Sequence, residues 1–237
     1  MAIYESYSEY YPSIYQKKDY LTETKALIAA LVRSGLPQQS RILDVGSGTG
    51  RHVEAMQLLG FPSEGVEPSA SMAEIALSRG VTTYVSQIEN LRLDQLYDVC
   101  TALFAVVNYI HPSGLRTFFS ALRSNLREGG LAALEIWGPN SPEPVDTSRD
   151  FQHKGREYIR SVAAEPEALT AWSLMISIIE RESQRVVARE RHRIYRHSLE
   201  VLQLAGQESG LKILSRRPVL LNPSSNFHET YLFRVER

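Results

Sequence analysis

An acid followed by three glycines at alternate positions, Asp44, Gly46, Gly48 and Gly50, closes the apolar run Ile42-Leu43-Asp44-Val45. Glycine tolerates positive φ and carries no Cβ, so a turn of this composition lets a ligand lie against main-chain N–H groups that side chains would otherwise shield. Gly46, Ser47, Gly48 and Gly50 therefore form a candidate backbone cradle at the tip of a strand. A second carboxylate, Glu67, ends the next short strand, Glu64-Gly65-Val66-Glu67. Its distance from the turn is close to the ~20-residue spacing of a ribose-binding acid. Two acceptor oxygens match two neighbouring hydroxyl donors, and bonds to an ionised acceptor are roughly twice as strong as neutral ones.

The spacing narrows the choice of ligand. A dinucleotide fingerprint needs its third glycine one place later, where Arg51 stands, and a phosphate loop needs Gly-Lys-Ser/Thr where Gly50-Arg51-His52 is found. What remains, Asp-x-Gly-x-Gly-x-Gly, resembles the first motif of the class I S-adenosylmethionine-dependent methyltransferases. Asp44 then has two candidate roles, both ionised: accepting N–H bonds within the turn, or reaching the amino group of the cofactor's methionine part.

Elements that position these residues read clearly. Apolar side chains at Leu21, Ala26, Leu27, Ile28, Leu31 and Val32 mark a helix over 20–34, closed by Gly35. Helices follow the glycine turn at 52–59 and at 69–78, the latter capped by Ser69 or Ser71. Strands are expected at 81–85, at 97–106 as one continuous apolar run, and at 131–137; a helix is expected at 115–126. Strands alternating with helices predict an α/β, doubly wound, mostly parallel sheet covered on both faces. The prolines of Gly138-Pro139-Asn140-Ser141-Pro142-Glu143-Pro144 interrupt the pattern. Beyond them 156–163, 168–180 and 185–196 read as three strands of an inserted antiparallel ribbon, before a helix at 198–205 and a final strand at 230–235. The expected organisation is a core over 1–138, the ribbon over 139–197 and a return to the core over 198–237, with the resemblance implying that the first of these carries an N-terminal lid and the cofactor site.

Composition sets bounds. The 237 residues carry 26 Lys and Arg against 27 Asp and Glu, so no global charge draws the protein to nucleic acid, whose non-specific binding rests on many cationic contacts. Arg181, Arg185, Arg189, Arg191, Arg193 and Arg196 crowd one segment, but Glu180, Glu182 and Glu190 interleave with them and favour a solvated strand face. No apolar run reaches the ~18 residues of a membrane span, and the start Met1-Ala2-Ile3-Tyr4-Glu5-Ser6-Tyr7 lacks the basic and apolar regions of a secretory signal, so a cytoplasmic location is expected. The single cysteine, Cys100, excludes an intrachain disulfide and reads as a buried strand residue.

Beyond the glycine turn, the chain is similar to small-molecule class I methyltransferases, in particular sugar-amine N-methyltransferases. Tyr11-Pro12-Ser13-Ile14-Tyr15-Gln16-Lys17-Lys18-Asp19-Tyr20 resembles that group's lead-in, Gly65-Val66-Glu67-Pro68-Ser69-x-x-Met72 its ribose motif, and Leu134-Glu135-Ile136-Trp137 with the ribbon its acceptor half. The resemblance implies a seven-stranded Rossmann-like sheet and S-adenosylmethionine as cofactor, with no metal. It places Tyr15 as a lid residue and Pro68, Ser69 and Met72 beside Glu67. It assigns Gln87 and Ile88 to the adenine, although the family commonly has aspartate where Gln87 stands. Tyr11 is a second aromatic of the lid.

Methyl transfer to an amine requires the acceptor to lose a proton, for which histidine is the natural base. His192 and His197, in the acceptor-binding ribbon, are the candidates, with His111 a further one after the fourth strand. Glu135 is placed to bind an amine or hydroxyl. Phe104, Tyr109 and Trp137 are expected to wall the cavity, since flat apolar rings exclude water and attract a cation. The expected partners are a small-molecule acceptor and, as one option, a second copy of the chain. Methylation of RNA or protein, a binding protein without transferase activity, and an NAD-dependent oxidoreductase are the competing readings.

Overall fold

The computed structural model describes residues 4–138, 142–221 and 228–236. Pro139, Asn140 and Ser141, central to the expected break, lie outside the described residues, as does Met1-Ala2-Ile3. In chain order the elements are α1 (Tyr11–Ile14), α2 (Tyr20–Arg33), β1 (Ile42–Val45), α3 (Arg51–Leu58), β2 (Ser63–Glu67), α4 (Ala70–Ser78), β3 (Thr83–Val85) and β4 (Tyr97–Ala102). There follow α5 (Leu115–Asn125), β5 (Leu126–Ile136), β6 (Thr147–His153), β7 (Arg156–Ala168), β8 (Ala171–Glu180), β9 (Val186–Tyr195), α6 (Leu199–Glu208), β10 (Leu211–Ile213) and β11 (Glu229–Val235).

Seven strands form the main sheet in the order β10-β11-β5-β4-β1-β2-β3, with only β11 running against its neighbours. Central strands of such a sheet are covered on both faces. All four residues of β1 are accordingly buried. Leu43 and Val45 pack with α5 and α6 on one side, and Ile42 packs with Leu27, Leu31 and Met56 on the other. Strand order reverses at β1, flanked by β2 and β4, and a crevice opens beyond the carboxyl ends of the strands at such a switch point. Asp44, Glu67 and Glu135 all stand at those ends. Helix starts are fixed locally: Asp19 caps α2 through Thr22 N–H at 3.0 Å, and Ser69, rather than Ser71, caps α4 through Met72 N–H at 3.3 Å.

Two expectations change. The inserted sheet has four strands, ordered β6-β7-β8-β9, not three. Strand β6 is an edge strand with only Phe151 buried, so its sequence carries little apolar signal. The run 97–106 is not one strand either. It stops at Ala102, and Phe104 and Ala105 take left-handed conformations with φ of 56° and 63°. Short β10, with a polar residue at its centre, was also missed.

Among the described residues no helix is long and apolar enough to cross a membrane. Helix α6 packs tightly on β11: a Cβ at Gly206 would stand 2.8 Å from the Leu211 carbonyl and 3.1 Å from Phe233 Cε1. Gly206→Ala gains about 1 kcal/mol of helix propensity but overpacks this contact at a cost of about 1–3 kcal/mol. Urea denaturation should show a net loss of stability; a more stable variant would mean that the helix can retreat freely.

Candidate active site

A cavity of about 520 Å³ lies over the strand ends, within the ~300–1,000 Å³ of ordinary small-ligand sites. One wall is the glycine turn. Gly46 and Ser47 N–H both donate to the Val66 carbonyl, at 2.8 and 3.2 Å, so the turn hangs from β2. Glu67 completes the attachment: Oε2 accepts from Gly48 N–H at 2.9 Å and Oε1 from Ser69 N–H at 2.8 Å. Burial raises the Glu67 pKa above the usual carboxylate range, while the Ser69 and Gly48 N–H groups counter it. Each oxygen keeps a lone pair for a ligand hydroxyl.

Asp44 departs from one of its expected roles. It accepts the Thr101 hydroxyl at 2.6 Å rather than turn N–H groups, and burial pushes its pKa up to about 6, against the influence of His52 and Thr101. The carboxylate lines the cavity, and among the described residues no cationic side chain forms an ion pair with it.

The opposite wall is Leu103, Phe104 and Val106, beyond β4. Consecutive left-handed residues without glycine cost of order 1–3 kcal/mol each and persist only where surroundings impose them. Here Glu135 accepts the Phe104 N–H. Asn108, fully buried, donates to the carbonyls of Trp137 at 3.1 Å and Tyr195 at 2.7 Å and accepts from Trp137 N–H at 2.8 Å. The turn brings Val106 against the glycines: a Cβ on Gly46, whose φ is 67°, would lie 2.6 Å from Val106 Cγ2.

Tyrosines fill the remaining side. Tyr4, Tyr11, Tyr20 and Tyr109 line the cavity. Behind Tyr109 sits His192, with 0% exposure. Its Nε2 is 3.0 Å from Glu190 Oε2 and its Nδ1 3.1 Å from the Tyr109 hydroxyl, which lies 2.7 Å from that of Tyr4. Because a carboxylate accepts only, Nε2 carries the imidazole proton, and Nδ1 accepts from Tyr109. Glu190 also accepts the N–H groups of Tyr4, at 2.8 Å, and Ser6. Burial lowers the His192 pKa, aided by Arg160 and opposed by Glu190, and pushes that of Tyr109 up to about 12.

Most sequence candidates converge here: Tyr11, Asp44, Gly46, Ser47, Gly48, Glu67, Pro68, Met72, Gln87, Ile88, Phe104 and Tyr109 all line the cavity. Others serve as supports. Gly50 starts α3 in a left-handed conformation, and Ser69 caps α4. Tyr15 packs behind Tyr11 and Phe104, at ring-centre distances of 4.5 and 5.3 Å, while Tyr4 takes the cavity-facing place expected of it.

Other assignments change. His197, 3% exposed, has Nε2 at 3.2 Å from the Val107 carbonyl and 3.1 Å from that of Ile110, so it pins a turn instead of meeting an acceptor. Glu135 accepts the Phe104 N–H, with His228 Nδ1 3.7 Å away, and is not among the residues that line the cavity. Trp137 donates its indole N–H to the Pro142 carbonyl at 2.9 Å and lies off the cavity. His111 likewise accepts from Ser113 N–H on the exposed side of its turn. Residues the sequence reading missed include Tyr4, Tyr20, Asn108 and Glu190; Glu190 was visible only as one of several acids among arginines.

A family model described as a methyltransferase domain matches residues 15–216. The dTDP-4-amino-2,3,4,6-tetradeoxy-D-glucose N,N-dimethyltransferase of Saccharopolyspora spinosa is 33% identical over 113 residues, covering 46% of this chain and 45% of that protein. The dTDP-3-amino-3,4,6-trideoxy-alpha-D-glucopyranose N,N-dimethyltransferase of Streptomyces venezuelae is 31% identical over 123 residues, 51% and 52% of the two. The chain spans about half the length of these curated relatives. Among solved structures, Streptomyces venezuelae DesVI superposes with a TM-score of 0.78 over 98% of each chain at 23% identity, a likeness of fold.

Gly46→Ala should destabilise the protein by about 2–4 kcal/mol, combining left-handed strain with overpacking against Val106, and should abolish calorimetric uptake of S-adenosylhomocysteine. Wild-type uptake by the variant would show that the turn does not form the binding wall.

Proposed function

The chain belongs to the methyltransferase-domain family, and from that premise we propose that it moves the methyl group of S-adenosylmethionine onto the amino group of a nucleotide-linked amino sugar. The observation that carries this reading is a single cavity with two unlike ends: buried carboxylates and bare backbone at one, hydroxyl-bearing rings and a histidine-linked phenol at the other.

The first end fits the cofactor. Glu67 has spare lone pairs for the ribose diol, Asp44 offers a buried carboxylate for the ammonium of the methionine part, and Gln87 with Ile88 supplies a polar and an apolar contact for the adenine. The bound cofactor supplies a methyl group already activated by a sulfonium. The chain's own residues have then to orient the acceptor and exclude water, and positioning alone is worth up to ~7–11 kcal/mol in favourable cases.

The second end suits a compact polar acceptor. Tyr4, Tyr11 and Tyr109 offer hydroxyls and ring faces to an amino sugar. Arg191 reaches the cavity margin, where it offers phosphate groups of the acceptor a cation, and Arg193 beside it is paired with Glu167. The names of the two relatives, each an N,N-dimethyltransferase of a dTDP-linked amino sugar, support this choice of acceptor. Transfer of labelled methyl to dTDP-3-amino-3,4,6-trideoxy-alpha-D-glucopyranose tests it directly. Labelled product is expected; inertness toward dTDP-amino sugars, with labelling of RNA or protein instead, would overturn it.

Two binding measurements test the cofactor end. Glu67→Ala should weaken S-adenosylhomocysteine binding by about 1–3 kcal/mol, whereas unchanged affinity would remove the ribose assignment. The Asp44 carboxyl resists ionisation until about pH 6, and a bound ammonium favours its ionised form. Affinity should therefore rise between pH 5 and 7 and level off above, on the order of tenfold per unit at most for one proton, and Asp44→Asn should flatten the profile. A rising profile retained in the variant would assign the titration elsewhere.

A further inference from the structure

Acceptor amines reach a methyltransferase largely protonated, and a protonated nitrogen has no lone pair with which to attack. The proton needs an outlet inside a cavity from which water is displaced. The hydrogen-bond chain behind Tyr109 provides one.

We infer that Tyr109 is the catalytic proton acceptor, and that His192 and Glu190 are its positioning residues, forming a relay that draws the acceptor's proton out of the cavity. This rests on the reading of the chain as an amine methyltransferase. Geometry carries it. Tyr109 alone of the three faces the cavity; its hydroxyl is aligned with His192 Nδ1 at 3.1 Å, and His192 Nε2 with Glu190 Oε2 at 3.0 Å. Glu190 is itself held by Tyr4 and Ser6 N–H groups, so its orientation does not depend on solvent. Unlike His197, which is also buried but bonds only to main-chain carbonyls, His192 links a cavity-facing hydroxyl to a carboxylate that fixes its tautomer.

The step balances. One proton passes from the acceptor ammonium to the Tyr109 oxygen as the phenolic proton passes to His192 Nδ1, leaving a neutral amine and an imidazolium paired with the Glu190 carboxylate. The freed nitrogen lone pair then forms the bond to the methyl carbon while the carbon–sulfur bond breaks, its electron pair staying on sulfur. No oxidant, reductant or metal enters.

The charged and titratable groups facing His192 are Glu190 on β9, Arg160 on β7, Tyr109 beyond β4, and Tyr4 and Tyr7 of the N-terminal segment. Burial and Arg160 keep the imidazole neutral in the neutral range and so ready to receive a proton, while Glu190 steadies the imidazolium that forms.

The test uses the intact chain with S-adenosylmethionine and dTDP-3-amino-3,4,6-trideoxy-alpha-D-glucopyranose. Tyr109→Phe and His192→Gln should each lower kcat by about 10²-fold or more, the usual range for a lost proton acceptor, with KM and S-adenosylhomocysteine affinity within about threefold. Glu190→Gln should lower kcat less and move the acid limb of the pH profile downward, since the group that raises the His192 pKa is gone; His192→Gln should erase that limb. Near wild-type kcat in Tyr109→Phe, with binding intact, would overturn the relay and leave the proposed function standing. If wild type is inert toward the amino sugar, the functional reading falls instead. Nitrogen NMR of His192 tests the geometry of the relay independently of turnover and of variant folding: a protonated Nδ1 with an unprotonated Nε2 would overturn it.

Discussion

The cavity depends on one buried carboxylate that ties two pieces of chain together. Glu67 ends β2, and its oxygens take the N–H of Gly48 from the neighbouring turn and of Ser69 at the start of α4. Removing such a group from water is costly, and the two N–H donors offset that cost only where they are. The turn after β1 is therefore held at a fixed height over the sheet, with its glycines presenting backbone to the cavity. The residue proposed as the ribose contact is thus also a structural tie, and the two roles need the same ionised state.

Across the cavity the same logic operates with different groups. Phe104 and Ala105 adopt a conformation that glycine would adopt at less cost, and buried polar side chains hold them there: Glu135 on the Phe104 N–H, Asn108 between the ends of β5 and β9, and His197 on the carbonyls of Val107 and Ile110. Side chains with the chemistry of catalysts are thus spent on the scaffold. Each satisfies main-chain groups that leave regular structure close to the site, where an unpaired buried donor or acceptor would cost about 1–3 kcal/mol.

The cofactor half was legible in the sequence because its determinants are local. A glycine turn, an acid at each of two strand ends and a helix cap lie within about thirty residues, and their spacing follows from strand and helix geometry. The tyrosine-lined half was legible only in part: Tyr109 and His192 stood out as candidates, but their connection through Tyr4 and Glu190 joins three distant stretches whose meeting depends on tertiary packing. Asn108 carries no spacing signal at all, and Glu135 sat at the expected strand end yet turned toward its own neighbour's backbone. Strand β6 shows the same limit for the fold: an edge strand with one buried residue reads as a polar loop.

Strand β9 carries the site by alternation. Ala188, Glu190, His192 and Ile194 share one face, and the exposed Arg189, Arg191 and Arg193 share the other. Pairing with β8 is irregular between Ile178 and Ile179, where their partners skip from Ala188 to Val186 and leave Val187 as an extra residue. That irregularity sets the parity of the strand. Side chains alternate with a period of two, so a slip by one would swap the imidazole and carboxylate for guanidinium groups along the whole segment. A slip of β9 by a single residue would therefore exchange an acid–base surface for a cationic one without altering any residue of either, and the bulge at Val187 is where the hairpin takes up an odd residue without such a slip.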